Sequence, residues 1–198
     1  MIIKRFVVGD YLTNTYLVIS GNEAILIDVG ENPIEVIEYL KNNDIKLKSI
    51  YATHGHFDHV LGVTEVKKYF KVPLYIHKND EELMKRDERT KNIEVDGYIK
   101  EGDIIKIGNE EIKVIETPGH TLGSVCYLTN DGIFTGDTLF NHSIGRYDIG
   151  GDKELLKKSL KRLMELDDGL TVYPGHGFLT TLGYEKLTNP FLNGEFDW

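Results

Sequence analysis

The chain is poor in several things, and each shortage excludes something. It has a single cysteine, Cys126, so no disulfide can form within it and a reducing compartment is expected. It has no apolar run approaching the ~20 residues of a membrane-spanning helix. Its opening stretch, MIIKRFVVGD, has too short an apolar core for a secretion signal. A cytoplasmic location without a membrane partner is therefore expected. Positive charge is also scarce: 23 Lys and Arg stand against 32 Asp and Glu, for a formal net charge of −9. Phosphate-backbone binders carry basic patches, so no nucleic-acid partner is expected. No Pro-rich or Ser-rich linker interrupts the chain. Residues 1–198 read as one domain with two loosely similar halves, about 1–95 and 96–198. What remains, 40% hydrophobic and 28% charged residues, is a globular composition with enough apolar material for a core. The sequence sets no oligomeric state.

Each half begins with β-type segments. IIKRFVV, YLTNTYLVIS and EAILIDVG are rich in β-branched and aromatic residues and are parted by Gly-Asp and Gly-Asn breaks. Pro33 then opens a helix, PIEVIEYLKNN. LKSIYATH reads as a strand, VLGVTEVKKYF as a helix, VPLYIH as a strand, and Asn79 to Asn92 as a charged surface helix. In the second half DIIKIGNEEIKVIETPGH and SVCYLTNDGIFTGD read as hairpins, KELLKKSLKRLMEL as an amphipathic helix and GLTVYPGH as a last strand. Strands in both halves with helices after them predict an α+β fold of two sheets packed together under outer helices.

Against this background one stretch stands out. Of seven histidines, three fall in THGHFDH, which holds His54, His56, Asp58 and His59. His54, His120, Asp137 and His176 each follow a predicted strand, where the backbone direction is fixed and side chains can converge. Zinc takes imidazole nitrogen and carboxylate oxygen, about four ligands to a tetrahedral site. His54, His56, Asp58, His59, His120, Asp137 and His176 are too many for one zinc and suit two, sharing a carboxylate and a hydroxide. Zinc lowers the pKa of bound water from ~15.7 to ~7, which makes such a pair hydrolytic at neutral pH. A surface turn has no reason to carry His-x-His-x-Asp-His, and burying so many unpaired polar groups would be costly. His77 and His142 stand alone and read as structural or rim residues. Cys126 reads as a buried strand residue, and Tyr147 as packing.

These segments resemble the metal-binding motifs of the metallo-β-lactamase superfamily. THGHFDH is similar to its His-x-His-x-Asp-His motif. TPGHTLGS, FTGDTLF and YPGH are similar to its later ligand motifs, in the same order and across nearly the whole chain. The resemblance implies a four-layer αββα sandwich, two mixed sheets flanked by helices, with the metals at one edge. It implies that His54, His56 and His120 hold one metal, that Asp58, His59 and His176 hold the other, and that Asp137 bridges them. Within the superfamily TGDTLF, IGR and PGHG resemble the glyoxalase II group, and GHGFLTTLGYEKLTNPFL its short bacterial members. That implies a binuclear, metal-dependent thioesterase acting on S-(2-hydroxyacyl)glutathione or a related thioester. The metals are two divalent ions, zinc first, with iron or manganese as alternatives. A metal-bridging hydroxide attacks the carbonyl, oriented by Asp58. Arg146 stands where the group has a basic residue that contacts glutathione. Phe178 and Asp148 stand where it has tyrosines. Only residues 177–198 of the sequence follow His176, so most of the group's C-terminal glutathione clamp is not expected here.

Two other functions fit the same ligands. A persulfide dioxygenase would use one iron on His54, His120 and Asp137. A non-catalytic metal-binding module would hold metal without turnover. Flavodiiron electron transfer needs a flavin domain, and a nuclease of this fold is disfavoured by the acidic balance.

Overall fold

Alternation along the strands decides how the layers assemble. The computed structural model describes residues 1–196 and 198. In the first half β1 (Ile2–Val8), β2 (Thr13–Ser20), β3 (Glu23–Ile27), β4 (Lys46–Tyr51), β5 (Leu74–His77) and β6 (Gly97–Ile99) form one sheet in sequence order. β1, β2 and β3 pair antiparallel, and β3 to β6 pair parallel. The second half supplies β7 (Ile104–Ile107), β8 (Glu110–Glu116), β9 (Val125–Leu128) and β10 (Gly132–Gly136). The two-residue strands β11 (Leu139–Phe140) and β12 (Ser143–Ile144) follow, then β13 (Thr171–Pro174) and β14 (Thr180–Thr181). The second sheet has the order β14-β13-β10-β9-β8-β7, with β10 and β13 parallel, while β11 and β12 form a separate small hairpin.

Side chains on successive strand positions point to opposite faces. Tyr16, Val18, Ile25 and Ile27 therefore meet Ile112, Val114, Tyr127 and Phe134 between the sheets. The intervening Leu17, Ile19, Ala24 and Leu26 face outward. They are covered by α1 (Ile34–Asn42) and α2 (Val63–Phe70) through Val36, Ile37, Leu40, Val63 and Val66. α3 (Lys78–Arg86) adds Met84 to the same layer. On the far side Cys126, Ile133 and Val172 are covered by Leu156, Leu160 and Leu163 of α4 (Lys153–Leu163) and by Leu182 of α5 (Leu182–Thr188). Three apolar layers thus separate helix, sheet, sheet and helix, the αββα order the resemblance implies. Each fully buried Leu, Ile or Phe stabilises this arrangement by about 1.5–3 kcal/mol.

The helix ends follow local chemistry. Asp152 caps α4, its side chain accepting from Leu155 N at 2.9 Å, with Glu154 in the first turn and Lys161 and Arg162 in the last. The structure departs from the predicted elements in places. The helix expected from Val60 begins at Val63, because a single 3₁₀ turn at Phe57–His59 uses up the preceding residues. The helix expected over Asn79 to Asn92 ends at Arg86, since Asp87 is extended and its carboxylate caps the next turn through Arg89 N. Among the described residues no helix is long and apolar enough to cross a membrane.

The two sheets are stitched at one edge. Asn14 N donates to Gly175 O at 2.8 Å, and Tyr16 Oη to Pro174 O at 2.7 Å. Val125 N donates to Thr53 O at 2.8 Å, and Tyr127 Oη to Ala52 O at 2.6 Å.

Candidate metal centre

The stitched edge is where the predicted ligands gather. His54 lies just past β4, and His56, Asp58 and His59 lie in and before the 3₁₀ turn. His120 follows β8, Asp137 follows β10 and His176 follows β13. The donor atoms form close sets. His54, His56 and His120 make one; Asp58, His59 and His176 make another; His54, His59 and Asp137 make a third. Within each set the ligand atoms lie within 4.8 Å of one another. The structure therefore brings all seven together, in the two triples the motifs imply, with Asp137 between them. Asp137 Oδ1 is 3.2 Å from His59 Nε2, and its Oδ2 is 3.6 Å from His120 Nε2 and from His176 Nε2.

The outer nitrogen of every imidazole is engaged, and this fixes the inner one. His120 Nδ1 donates to Arg146 O at 2.6 Å and His176 Nδ1 to Tyr11 O at 3.1 Å. His56 Nε2 donates to Ile149 O at 3.2 Å. His59 Nδ1 donates to Asp28 Oδ2 at 2.8 Å. Thr53 Oγ1 gives its proton to Asp28 Oδ2 at 2.8 Å, so it accepts from His54 Nδ1 at 3.0 Å. A neutral imidazole has one N–H, so each ring turns a lone pair inward. Two such pairs face each other: His56 Nδ1 and His120 Nε2 at 2.9 Å, and His59 Nε2 and His176 Nε2 at 3.2 Å. His54 Nε2 and Asp137 Oδ1 are buried without a hydrogen-bond partner. Facing lone pairs and orphaned buried acceptors are costly unless a cation satisfies them, so these residues fit divalent metal.

The electrostatics agree. Burial opposes protonation of His59, but the carboxylates of Asp137 and Asp28 outweigh it and hold its pKa well above the ordinary value, so the site draws positive charge to the inward nitrogen, as a proton or, when a cation is bound, as that cation in the proton's place. Burial would push Asp137 up, yet His59, His120 and His176 hold it well below the usual carboxylate range. Burial likewise opposes ionisation of Asp58, and His176 and His59 overcome it. His54 is depressed by burial and by the neighbouring histidines. Two ionised carboxylates in a nearly dry site are matched to positive charge.

Two supporting residues escaped the sequence reading. Asp28, after β3, sits at φ 54, a region unfavourable to a non-glycine residue. It is held there by Thr53 N on Oδ1 at 2.7 Å and by Thr53 Oγ1 and His59 Nδ1 on Oδ2. Asp80, at the start of α3, accepts from Gly55 N and Gly123 N at 2.7 Å and from Thr121 Oγ1 at 2.6 Å. It ties the loop carrying His54 and His56 to the loop carrying His120. A carboxylate just past a strand was the one available signal for Asp28, and nothing local marked Asp80. Close approach matters as well: a Cβ on Gly175 would collide with Asp137 Oδ1 and His59 Cε1.

The site opens into a cleft of about 450 Å³. Besides the donors, its walls are Tyr11, Phe57, Phe140, Ile144 and Ile149, with Arg146 at the rim. Arg146 is exposed and its guanidinium is paired with Asp148. His77 and His142 lie apart from the cluster: His77 pairs with Glu116 at 3.1 Å, and His142 with Tyr184 at 3.1 Å. Cys126 is buried under α4, and burial pushes its thiol up to about 12.

The chain is similar to known proteins. An uncharacterized protein of Aquifex aeolicus is 40% identical, over 98% of this chain and all of that protein. The hydroxyacylglutathione hydrolase GloC of Haemophilus influenzae is 34% identical, over 87% of this chain and 88% of its own. Among solved structures, the BLEG-1 B3 metallo-beta-lactamase superposes with a TM-score of 0.91 at 33% identity, covering 98% of this chain and 100% of that one. The di-iron form of TTHA1623 superposes at 0.87 with 34% identity, over 96% and 100%. ETHE1 from Myxococcus xanthus superposes at 0.86 with 28% identity, over 98% and 85%. The sequence profile of the metallo-beta-lactamase superfamily matches residues 8–176, a span that contains all seven converging donors, and the chain belongs to that superfamily.

Proposed function

We propose that the chain is a binuclear metal-dependent thioesterase of the glyoxalase II type, hydrolysing S-(2-hydroxyacyl)glutathione or a related thioester. The observation that carries this reading is the pair of facing imidazole contacts, one in each donor triple, with Asp137 reaching toward both. It supports two ions rather than one. The likeness to GloC supports thioester hydrolysis, and the di-iron neighbour supports iron beside zinc and manganese as occupants.

When bound, two divalent ions supply a water-derived nucleophile at neutral pH and polarise the substrate carbonyl. The chain's own residues do the rest. Asp58 holds its Oδ2 3.1 Å from His176 Nε2 and 3.4 Å from Thr13 Oγ1, so its carboxylate is fixed at the cleft surface as a proton acceptor for water. Asp28 keeps the His59 ring from rotating and Asp80 holds the loops that carry His54, His56 and His120, so the site is formed before substrate arrives. Tyr11, Phe57, Phe140, Ile144 and Ile149 shield the acyl group from bulk water. No serine or cysteine nucleophile is needed, and buried Cys126 takes no part. The same reading takes residues 1–198 as one working unit in the cytoplasm, acting on a small molecule rather than on nucleic acid or membrane.

The rival iron dioxygenase would use His54, His120 and Asp137. Those donors also lie near one another, His120 Nε2 3.6 Å from Asp137 Oδ2 and His54 in a close set with each, so the assay decides between the two. The deciding experiment measures metal content and hydrolysis of S-lactoylglutathione and other thioesters on one sample. Cleavage by protein holding two metals is expected. Absence of cleavage across the panel defeats the reading, and oxygen uptake with glutathione persulfide would point to the dioxygenase.

A further inference from the structure

The cleft has apolar walls, yet two guanidinium groups stand beside it. Arg146 is anchored at the centre by its own backbone, whose carbonyl accepts from His120 Nδ1, while its side chain reaches solvent. One of the two bidentate edges of the guanidinium, the side-on one, is already taken. Nε donates to Asp148 Oδ1 and Nη2 to Asp148 Oδ2, both at 2.9 Å. At the Phe57 wall the same arrangement recurs. Arg89 lies over the Phe57 ring, 3.3 Å from its centroid, and donates through Nε to Asp87 Oδ1 at 2.8 Å and through Nη2 to Oδ2 at 2.5 Å. Bidentate pairing is the arginine mode best suited to recognising an anionic ligand. Here the side-on edge of each arginine is filled by a carboxylate two residues away in the chain, so the mouth presents neutral pairs rather than free positive charge.

We propose that Asp148 is a specificity-determining residue that occupies Arg146. The cleft then favours thioesters whose thiol portion is uncharged over those carried on a carboxylate-bearing thiol such as glutathione. This rests on the thioesterase reading and narrows its substrate class. A carboxylate approaching Arg146 must displace Asp148 or take the remaining end-on edge beside its negative charge, whereas a neutral thiol portion meets only the apolar walls. Both partners are exposed, so the discrimination is modest. Freeing Arg146 is worth about fivefold, the upper range for an exposed ion pair.

The test compares the S-lactoyl thioesters of glutathione and of N-acetylcysteamine, which share an acyl group and differ in charge. With zinc-loaded protein the ratio of kcat/KM, glutathione over N-acetylcysteamine, is expected below one. Asp148→Ala should raise that ratio about fivefold, and adding Arg146→Gln should cancel the rise. A wild-type ratio above one, or a ratio that Asp148→Ala leaves unmoved or lowers, overturns the proposal. If neither thioester is cleaved, the thioesterase reading fails by itself. The proposal is then judged on the affinity for glutathione, which Asp148→Ala must tighten relative to N-acetylcysteamine; equal or weaker relative affinity overturns it.

Discussion

His56 Nδ1 and His120 Nε2 stand 2.9 Å apart, and in their neutral forms neither can donate to the other. Each ring has already given its proton away, to Ile149 O and to Arg146 O. One backbone segment, Arg146 to Ile149, thereby sets the tautomers of two ligands that come from different sheets. At His59 and His176 the outer nitrogens are held separately, by Asp28 Oδ2 and by Tyr11 O.

Asp58 contributes to one donor triple only, beside His59 and His176. Asp58→Ala should lower the bound metal from two ions to one and remove most hydrolysis. Metal analysis and thioester turnover on the same preparation check this. Two retained ions with an unchanged rate would refute the two-metal mechanism.

Asp28 orients His59 without touching the cleft. Asp28→Asn keeps the size and tolerates the left-handed backbone, but replaces one acceptor oxygen with a donor. Loss of such an outer partner costs about 10–100-fold in metal affinity. Chelator competition against wild-type protein measures it.

Gly175 has no room for a side chain beside Asp137 and His59. Gly175→Ala should destabilise by about 1–3 kcal/mol, as overpacking does, and displace the carboxylate reaching toward both triples. Urea unfolding together with metal stoichiometry separates a local displacement from general loss of fold.

Burial pushes the Cys126 thiol from 9.0 up to about 12. A raised acid favours the neutral form in the folded state, so its contribution is fully present below pH 9 and is lost as pH rises from 9 toward 12. Burial also raises Tyr16 and Tyr127, which act in the same direction. Urea midpoints should therefore fall with alkaline pH, less steeply in Cys126→Ala. A thiol reagent at pH 8 should leave folded protein unlabelled and label it on unfolding.

The convergence of the donors is legible because their residue types are chemically costly without a metal, and because His54, His120, Asp137 and His176 each follow a strand whose pattern is clear. The layers were legible too, since β2 and β3 alternate between two buried faces. What escaped depends on distant partners or on too few residues. Asp28 and Asp80 gain their meaning only when His59, Thr53, Gly55 and Gly123 arrive beside them. β6, β11, β12 and β14 are two or three residues long, too short for any alternation to register. The start of α2 was misplaced because Val60 keeps helical spacing with Val63 while the 3₁₀ turn holds the chain at Phe57–His59. Resemblance singles out Arg146, but its pairing with Asp148 is a matter of rotamers that no motif encodes.

The stitched edge between the sheets has a mechanical consequence. Each triple takes two donors from the first sheet's loops and one from the second's. Neither sheet alone can complete either set. A slip of one residue along a strand is about 3.3 Å. That is more than the gap between His56 and His120, so the centre works as a vernier on the alignment of the two halves. A mutation anywhere in the layer between the sheets that shifts one against the other should be read out at the metals before it is read out as unfolding.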